Sequence, residues 1–487
     1  MTVATRYETI IGIECHVELD TRSKMFCGCS AKWFGAPPNS LTCEVCLGLP
    51  GALPYPNRKA IELSIAAGIA LHCETPEHTK FDRKNYMYPD LPKGYQISQF
   101  DLPLSVSGWL EIPADDGTTK RVGIRRAHLE EDTGSLLHAG GATLIDFNRS
   151  GVPLLEIVSE PDLRSVGESL AYLEALRERL VYAGVAGFKL EEGGARFDVN
   201  VSIRFADTDG ETRWPPQSEI KNLNSFRALE EAVPYESARL WDEWESGGEL
   251  RTRSGKITVG WSPESHRTYL QRTKEEVDDY RYFPEPDLVA LAPDRAMVER
   301  IRAALPEMPT ERRARLTSQY GLSDYDARVL VSDRALADWF EAAAQTAPAQ
   351  AKRVANWVTV ELLGHLKATG QALPELKLTP AQLGALVGLI EAGTISTTAA
   401  KTVFAGMAET GRDPGEIVAE KGLSQVSDEA AIAAAVDAAI AANPKAVADI
   451  RAGNQRAVGF IAGAVMKDMK GKANMTVVQR LISERVK

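Results

Sequence analysis

The chain has 487 residues, 44% hydrophobic and 25% charged, a soluble globular composition and more chain than one ordinary core accommodates. Two to four domains are therefore expected. No apolar run approaches the roughly 20 residues that span a bilayer, and the segment from Met1 to Glu8 lacks the apolar core of a secretory signal. The expectation is a cytoplasmic protein with no membrane association. A formal net charge of −11 argues against a protein that coats nucleic acid. Yet residues 445–487 carry nine Lys/Arg against three acids, a net +6 on a body that carries −17. That basic tail suits either a partner touched in one place or a solvated helical face.

In chain order, the first informative run is Ile10–Leu19. Period 2 places Glu14, His16 and Glu18 on one face of a strand and Ile13, Cys15, Val17 and Leu19 on the other. Residues two apart on a strand are about 6–7 Å apart, so Glu14 and His16 either converge on one cation or line a solvent face. Next, Cys27-Gly28-Cys29 and Cys43-Glu44-Val45-Cys46 are two cysteine pairs separated by 13 residues. Four thiolates at this spacing suit a closed tetrahedral zinc site, with unmetallated thiols as the alternative. Cys15 and Cys73 are expected as small core residues. Lys80–Gln96 is dense in cations, Tyr and Pro and is expected as an ordered loop that contacts phosphates, lines a polar passage or serves structure alone.

His128-Leu129-Glu130-Glu131-Asp132 packs three consecutive acids, whose repulsion a cation would relieve. In Pro153–Val158 the single acid Glu156 interrupts an apolar run; a buried lone carboxylate is costly unless paired or metal-bound, so it is a candidate ligand. Arg196–Arg204 alternates, with Arg196, Asp198, Asn200, Ser202 and Arg204 on its polar face. Carboxylates, an imidazole and arginines together suit Mg²⁺ and phosphate oxygens. The sequence contains no G-x₄-G-K-[ST] loop, so an ATP site must be held by acids, metal and Arg. It contains neither a G-x-S-x-G elbow nor a Gly/Ser-rich amidase segment, and so shows no machinery for releasing ammonia from glutamine.

Beyond about Leu288 the short β-like runs give way to Ala- and Leu-rich helical spacing. Thr379-Pro380-Ala381-Gln382 reads as a capping box with Pro at the first helical position, and Ser427-Asp428-Glu429 as another helix start. Gly411–Gly415 is a break. The expected division is an α+β body at 1–290 with a four-cysteine zinc insert, a helical domain at 291–410 and a basic helical tail domain at 411–487.

Taken together these segments resemble the B-subunit family of tRNA-dependent amidotransferases. The likeness runs through Ile11–Leu19, Lys80–Tyr86, Gly94–Gln99, His128–Asp132, Glu156–Asp162, Glu219–Phe226 and Asp279–Asp287, and more weakly through Gly459-Phe460 and Lys470–Asn474. It implies a body of the glutamine synthetase/guanidino kinase type, an antiparallel sheet, followed by all-helical middle and tail domains. It implies a ligase that uses ATP and Mg²⁺ to activate the side-chain carboxylate of Glu-tRNA(Gln) and/or Asp-tRNA(Asn). Amidation would use ammonia delivered by a glutaminase/amidase partner, the A subunit, with a small C subunit completing a heterotrimer.

By matching motif, Glu14, His16, Glu130, Glu131 and Glu156 would form the catalytic set, with Glu14, His16, Glu131 and Glu156 on the metal. Arg196 and Asp198 would bind the nucleotide cofactor. Lys84, Tyr86, Lys93 and Asp198 would line the ammonia passage. Cys27, Cys29, Cys43 and Cys46 match the zinc-bearing branch, and Lys467, Lys470 and Lys472 would touch tRNA. The chain departs from the pattern at Gly193–Asp198, at Tyr269–Glu275 and at Gly453–Arg456, where a Lys after the Gly is usual; the last puts the exact tRNA contacts in doubt. Two rival readings are a non-catalytic tRNA-binding assembly protein and a stand-alone ligase acting on a free small acid.

Overall fold

The alternation in Glu8–Glu18 builds a strand, β1, with Ile11, Ile13, Cys15 and Val17 at most 1% exposed and Glu14, His16 and Glu18 on the opposite face. These residues belong to a computed structural model that describes residues 7–206, 210–223, 225–247, 256–273, 280–425, 429–452, 454, 456–469 and 473–486. The expected tRNA contacts Lys470 and Lys472, the helix start Ser427-Asp428, and Gly453 and Gln455 lie outside the described residues. Two compact units result, Met1–Met308 and Pro309–Lys487.

In the first unit β1 sits inside a sheet completed by β2 (Ser105–Pro113), β3 (Thr119–Glu131), β4 (Pro153–Ser159), β5 (Ala195–Ala206), β6 (Ser218–Leu223), β7 (Ile257–Ser262) and β8 (Arg267–Thr273). The spatial order is β8-β7-β6-β5-β1-β4-β3-β2, and the two-residue strand Thr212–Arg213 joins β5. Pairing is antiparallel throughout this path except between β6 and β7. A parallel pair needs a long crossover. The third of three helices, α1 (Arg58–Ala70), α2 (Val166–Tyr182) and α3 (Phe226–Glu245), is that crossover.

All three helices pack on the apolar face of the sheet, α1 on β3, α2 on β2 and α3 on β5, and they close one continuous core with it. A sheet with one covered face shows clean alternation, as β5 does along its whole length. The other face is left polar, and the site lies there. A further helix, α4 (Arg295–Ala304), brings Met297, Val298 and Ile301 against the same core.

The segment expected as a loop is partly strand. Asp82–Asn85 pairs antiparallel with Tyr95–Ser98, and Phe283–Pro284 adds a third short strand. This small sheet is fastened to the end of β3: Gln96 Nε2 donates to Glu131 O (2.8 Å) and Ile97 N to Glu131 Oε1 (3.0 Å).

The second unit is helical in its described residues and holds two apolar clusters, one running from Leu316 to Val418 and one from Ile432 to Val486. The capping box at Thr379 is formed: Thr379 Oγ1 accepts from Gln382 N (3.3 Å), and Gln382 Oε1 accepts from Thr379 N (3.0 Å). Gly411, at φ +73°, ends the helix Thr397–Thr410 in the left-handed region that glycine adopts without strain. Among the described residues no single helix is long and apolar enough to cross a membrane.

The side chain beneath the site is Leu155, fully buried and paired in register with both Val17 and Leu129. Leu155→Ala should destabilise the first unit by about 2–5 kcal/mol, the usual cost of emptying such a position. Equilibrium denaturation would read the loss; a change under 1 kcal/mol (roughly a surface substitution) would contradict the packing described.

Candidate active site

Four adjacent strands place one residue each in a single row on the polar face. His128 on β3 is the partner of Glu156 on β4, Glu156 of His16 on β1, and His16 of Arg196 on β5. Register alone makes these side chains share a face. Glu130, two residues along β3 from His128, joins them. His16 Nε2 lies 3.3 Å from Glu156 Oε2 and 3.6 Å from Glu130 Oε1. His128 Nε2 lies 3.6 Å from Glu156 Oε2 and 3.9 Å from Glu130 Oε2.

Two buried carboxylates this close cannot be equally ionised, and the site separates them. Burial works against the charge of Glu156, but His128, His16 and Lys84 more than offset it and hold its pKa well below the usual carboxylate value. Burial and the charge of Glu156 raise that of Glu130. The two histidines also diverge. Burial would lower His16, but its hydrogen bond to Glu156 and the nearby carboxylates raise it overall. Burial pushes His128 down to about 4.

The row opens into a cavity of about 260 Å³. Lys84, Phe100, Tyr280 and Tyr282 line one side, with Phe100 stacked on Tyr282 at 4.2 Å. Lys84 stands 5.0 Å from the Tyr280 ring centre, and although burial disfavours its charge, Tyr282, Glu130 and Glu156 raise its pKa. At the β6–β7 end Lys221 Nζ donates to Asp198 Oδ2 (3.0 Å), and Lys256 Nζ lies 3.6 Å from Glu14 Oε1 and 3.4 Å from Glu219 Oε1. Asn200 Nδ2 also donates to Glu14 Oε1 (2.9 Å). The cavity thus carries both signs of charge on fixed strands.

Of the residues expected from sequence, Glu14, His16, Glu156, Lys84 and Asp198 line this cavity, and Glu130 meets the two histidines beside it. Glu131 is placed elsewhere. Consecutive residues of a strand point to opposite faces, so Glu131 leaves the site that Glu130 enters and instead pairs with Lys93 in a cavity beside Cys27 and Cys46. Lys93 goes with it. Tyr86 is edge-on to Tyr280 at 6.0 Å. Arg196 is tied by two 3.0 Å hydrogen bonds to Asp132. Lys467 is exposed on the helix Arg456–Asp468. Sequence reasoning missed His128, Glu219, Lys221 and Lys256. The same alternation could have found the first three, since it pairs His128 with Glu130 and Glu219 with Lys221; Lys256 carries no such local signal.

The donor set fits a divalent cation. His16 Nε2 is 3.3 Å from Glu156 and 3.6 Å from Glu130, close to the roughly 3 Å between adjacent octahedral ligands of Mg²⁺, and one atom from each of the three lies within 4.8 Å of the others. His16 Nδ1, Arg126 Nε and His128 Nδ1 are buried without a protein partner among the described residues, three of nine such atoms gathered at one cavity. Cys27, Cys29, Cys43 and Cys46 form a second set, also within 4.8 Å of one another. Cys43 Sγ and Cys46 Sγ are 3.9 Å apart, against about 3.8 Å for two sulfurs on tetrahedral zinc. The hydrogen bond between Cys27 and Cys46 lowers the Cys46 pKa to about 5 and raises that of Cys27, so the metal-free cluster holds one thiolate against its neighbouring thiols.

In the metal-free chain, nitrogen-15 NMR should show His16 still protonated at a pH where a free histidine is half neutral, and His128 neutral down to about pH 5, above its value of about 4. The linkage signs are opposite. The lowered His128 favours folding above about pH 6.5 and loses that contribution as pH falls toward 4. The raised His16 favours folding at lower pH and loses its contribution as pH rises through its folded value. Coincident titration of the two rings would contradict the site's electrostatics.

Known proteins resemble the chain along its whole length. A family model for the GatB/GatE catalytic domain matches residues 9–299, and one for the GatB domain matches residues 338–486. The chain is 48% identical over 482 residues to the B subunit of the aspartyl/glutamyl-tRNA(Asn/Gln) amidotransferase of Brevibacillus brevis, covering 99% of both chains. It is 50% identical over 482 residues to the protein of that name from Thermomicrobium roseum, with 98% of both covered. Against the one from Carboxydothermus hydrogenoformans it is 48% identical over 485 residues, with 99% of both covered. Similarity at this level from end to end, with both domain models matched in order, means that the chain belongs to the GatB family.

Proposed function

We propose that the chain is the carboxylate-activating component of an aspartyl/glutamyl-tRNA(Asn/Gln) amidotransferase, a carbon–nitrogen ligase that works with an amidase A subunit and a small C subunit. The supporting observation is the His128–Glu156–His16–Arg196 row beside a cavity walled by Lys84, Lys221 and Lys256, in a chain whose relatives carry that enzyme's name. The substrates are ATP and the side-chain carboxylate of Glu-tRNA(Gln) and/or Asp-tRNA(Asn). A carboxylate oxygen bonds to the γ-phosphorus as the bond to ADP breaks, giving an acyl phosphate. Ammonia nitrogen then bonds to the carbonyl carbon, the bond to phosphate oxygen breaks, and the proton shed by nitrogen leaves with phosphate.

Such a transfer needs little covalent help from protein; position and charge neutralisation carry it. His16, Glu130 and Glu156 would hold Mg²⁺, with Glu14 across the cavity, and the ion would neutralise phosphate oxygens when bound. Lys84, Lys221 and Lys256 offer further positive charge to the phosphates. Lys84, Tyr86 and Asp198 would line the path of ammonia, as the resemblance implies, and Lys93 lies on a neighbouring cavity. Cys27, Cys29, Cys43 and Cys46 would hold a structural zinc. We assign residues 1–290 to catalysis, 291–410 to a helical domain and 411–487 to tRNA. Within the tail, Arg480 is paired with Glu429 (2.6 Å) and Arg485 with Asp437 (3.0 Å), which leaves exposed cations such as Lys467 as the contacts to RNA phosphates.

Glu156→Gln should keep tRNA affinity but lower ATP-dependent amidation in the reconstituted complex by at least about 100-fold. Normal amidation by this variant would sink the assignment and favour a tRNA-binding assembly role. Metal analysis of the purified chain should find near one zinc per chain, and none would refute the cysteine site.

A further inference from the structure

Lys24 is completely buried. An ammonium in the interior is costly unless an anion answers it, yet among the described residues no carboxylate forms an ion pair with it. Its Nζ lies 3.4 Å from Phe147 O and 3.7 Å from Cys46 Sγ. Glu131 is engaged through Oε1 by Lys93 and by Ile97 N, while its Oε2 faces the same glycine, Gly151, without forming an ion pair with Lys24. The backbone adds a second link, since Lys24 N donates to Cys29 O (2.9 Å). Lys24 therefore spans both cysteine pairs, with its main chain on the first and its ammonium on the second. Gly151 runs alongside at φ +85°, in the left-handed region that favours glycine, and a Cβ there would make ordinary contacts with Cys46 Cβ at 3.5 Å and Lys24 Cδ at 3.6 Å.

We infer that Lys24 is the buried counter-charge of the cysteine metal centre, an inference that rests on the zinc reading above. Four thiolates around one divalent cation carry a net charge of two minus, spread over the sulfurs, and of the four Cys46 is the buried one. An ammonium against Cys46 Sγ offsets part of that charge, and the centre in turn supplies the anion that a buried lysine requires. Each makes the other tolerable. The bland alternative is that Lys24 only ties Phe147 O to the cysteine lobe by a hydrogen bond.

The test uses the full chain, stripped of metal and reloaded, with Lys24→Met removing both charge and donor and Lys24→Gln keeping a donor for Phe147 O. Competition with a chromophoric chelator should show zinc bound about 10–100-fold more weakly by both variants, the usual scale for groups that support metal ligands. In the cobalt(II) form the thiolate-to-metal charge-transfer band should move to longer wavelength, because sulfurs relieved of a neighbouring cation release electron density more easily. Circular dichroism of the loaded chains checks the fold, and Lys24→Gln carries the test if Lys24→Met does not fold. Unchanged affinity and band in the variants would overturn the inference. So would a loss confined to Lys24→Met, which would assign Lys24 to Phe147 O alone. A wild-type chain that takes up neither zinc nor cobalt would instead sink the metal reading itself, whatever the variants do.

Discussion

Glu130 and Glu156 stand on one face of a sheet whose other face is the core, and they stand close enough to repel each other. That repulsion, in a place where water screens little, is the constraint from which the rest of the site follows. It is met by register. Because Glu156 is the strand partner of both His16 and His128, two imidazoles flank it without any loop having to place them. A slip of one residue in either pairing would send a histidine into the core and leave the acids unanswered. The apolar half of the alternation fixes that register, since Ile13, Cys15, Val17, Leu129, Leu155 and Ile157 all have to be buried together.

Around this centre the cations are graded by what holds them. Arg196 is committed to Asp132, whose own pKa is lowered by Arg196 and Arg149 against the effect of burial. Lys221 and Lys256 are shared among Asp198, Glu14 and Glu219. Lys84 is held among Tyr280, Tyr282 and the two central acids. Shared charges can be redirected to an incoming phosphate at lower cost than a committed pair, because breaking a fully formed buried pair leaves a charge unanswered. On the function proposed, this difference favours Lys84, Lys221 and Lys256 over Arg196 as the groups that would meet a nucleotide.

Much of this was legible in the residues, and the parts that were not have a common cause. The alternation of β1, the lone acid Glu156, the cysteine spacing and the capping box at Thr379 are local signals, and each appears where its period or spacing puts it. The resemblance puts Glu131 at the metal, whereas strand alternation turns it to the face opposite Glu130, where it pairs with Lys93. Lys256 was invisible for a different reason. It reaches Glu14 and Glu219 only because β6 pairs parallel with β7 through α3, a long-range pairing that no window of sequence contains. The two short strands inside Lys80–Gln96 were hidden in the same way, since only their docking on Glu131 and Phe283 makes them a sheet.

The satisfied and unsatisfied polar groups then divide the molecule. Where β3 ends and β4 begins, every link is closed: Gly151 N donates to Asp132 O (2.8 Å), Asp132 N to Val152 O (2.8 Å) and Met25 N to Gly151 O (2.7 Å). Ser150 Oγ donates to Cys46 O (3.4 Å), so the cysteine lobe is stitched to the very turn that leads into the strand of Glu156. On the polar face of the same strands His16 Nδ1, His128 Nδ1 and Arg126 Nε are buried without a protein partner among the described residues. Buried polar groups are ordinarily paired, so such a concentration at one cavity calls for a ligand. The lobe therefore anchors the start of the strand that carries Glu156, while the cavity keeps polar atoms that the protein itself does not answer.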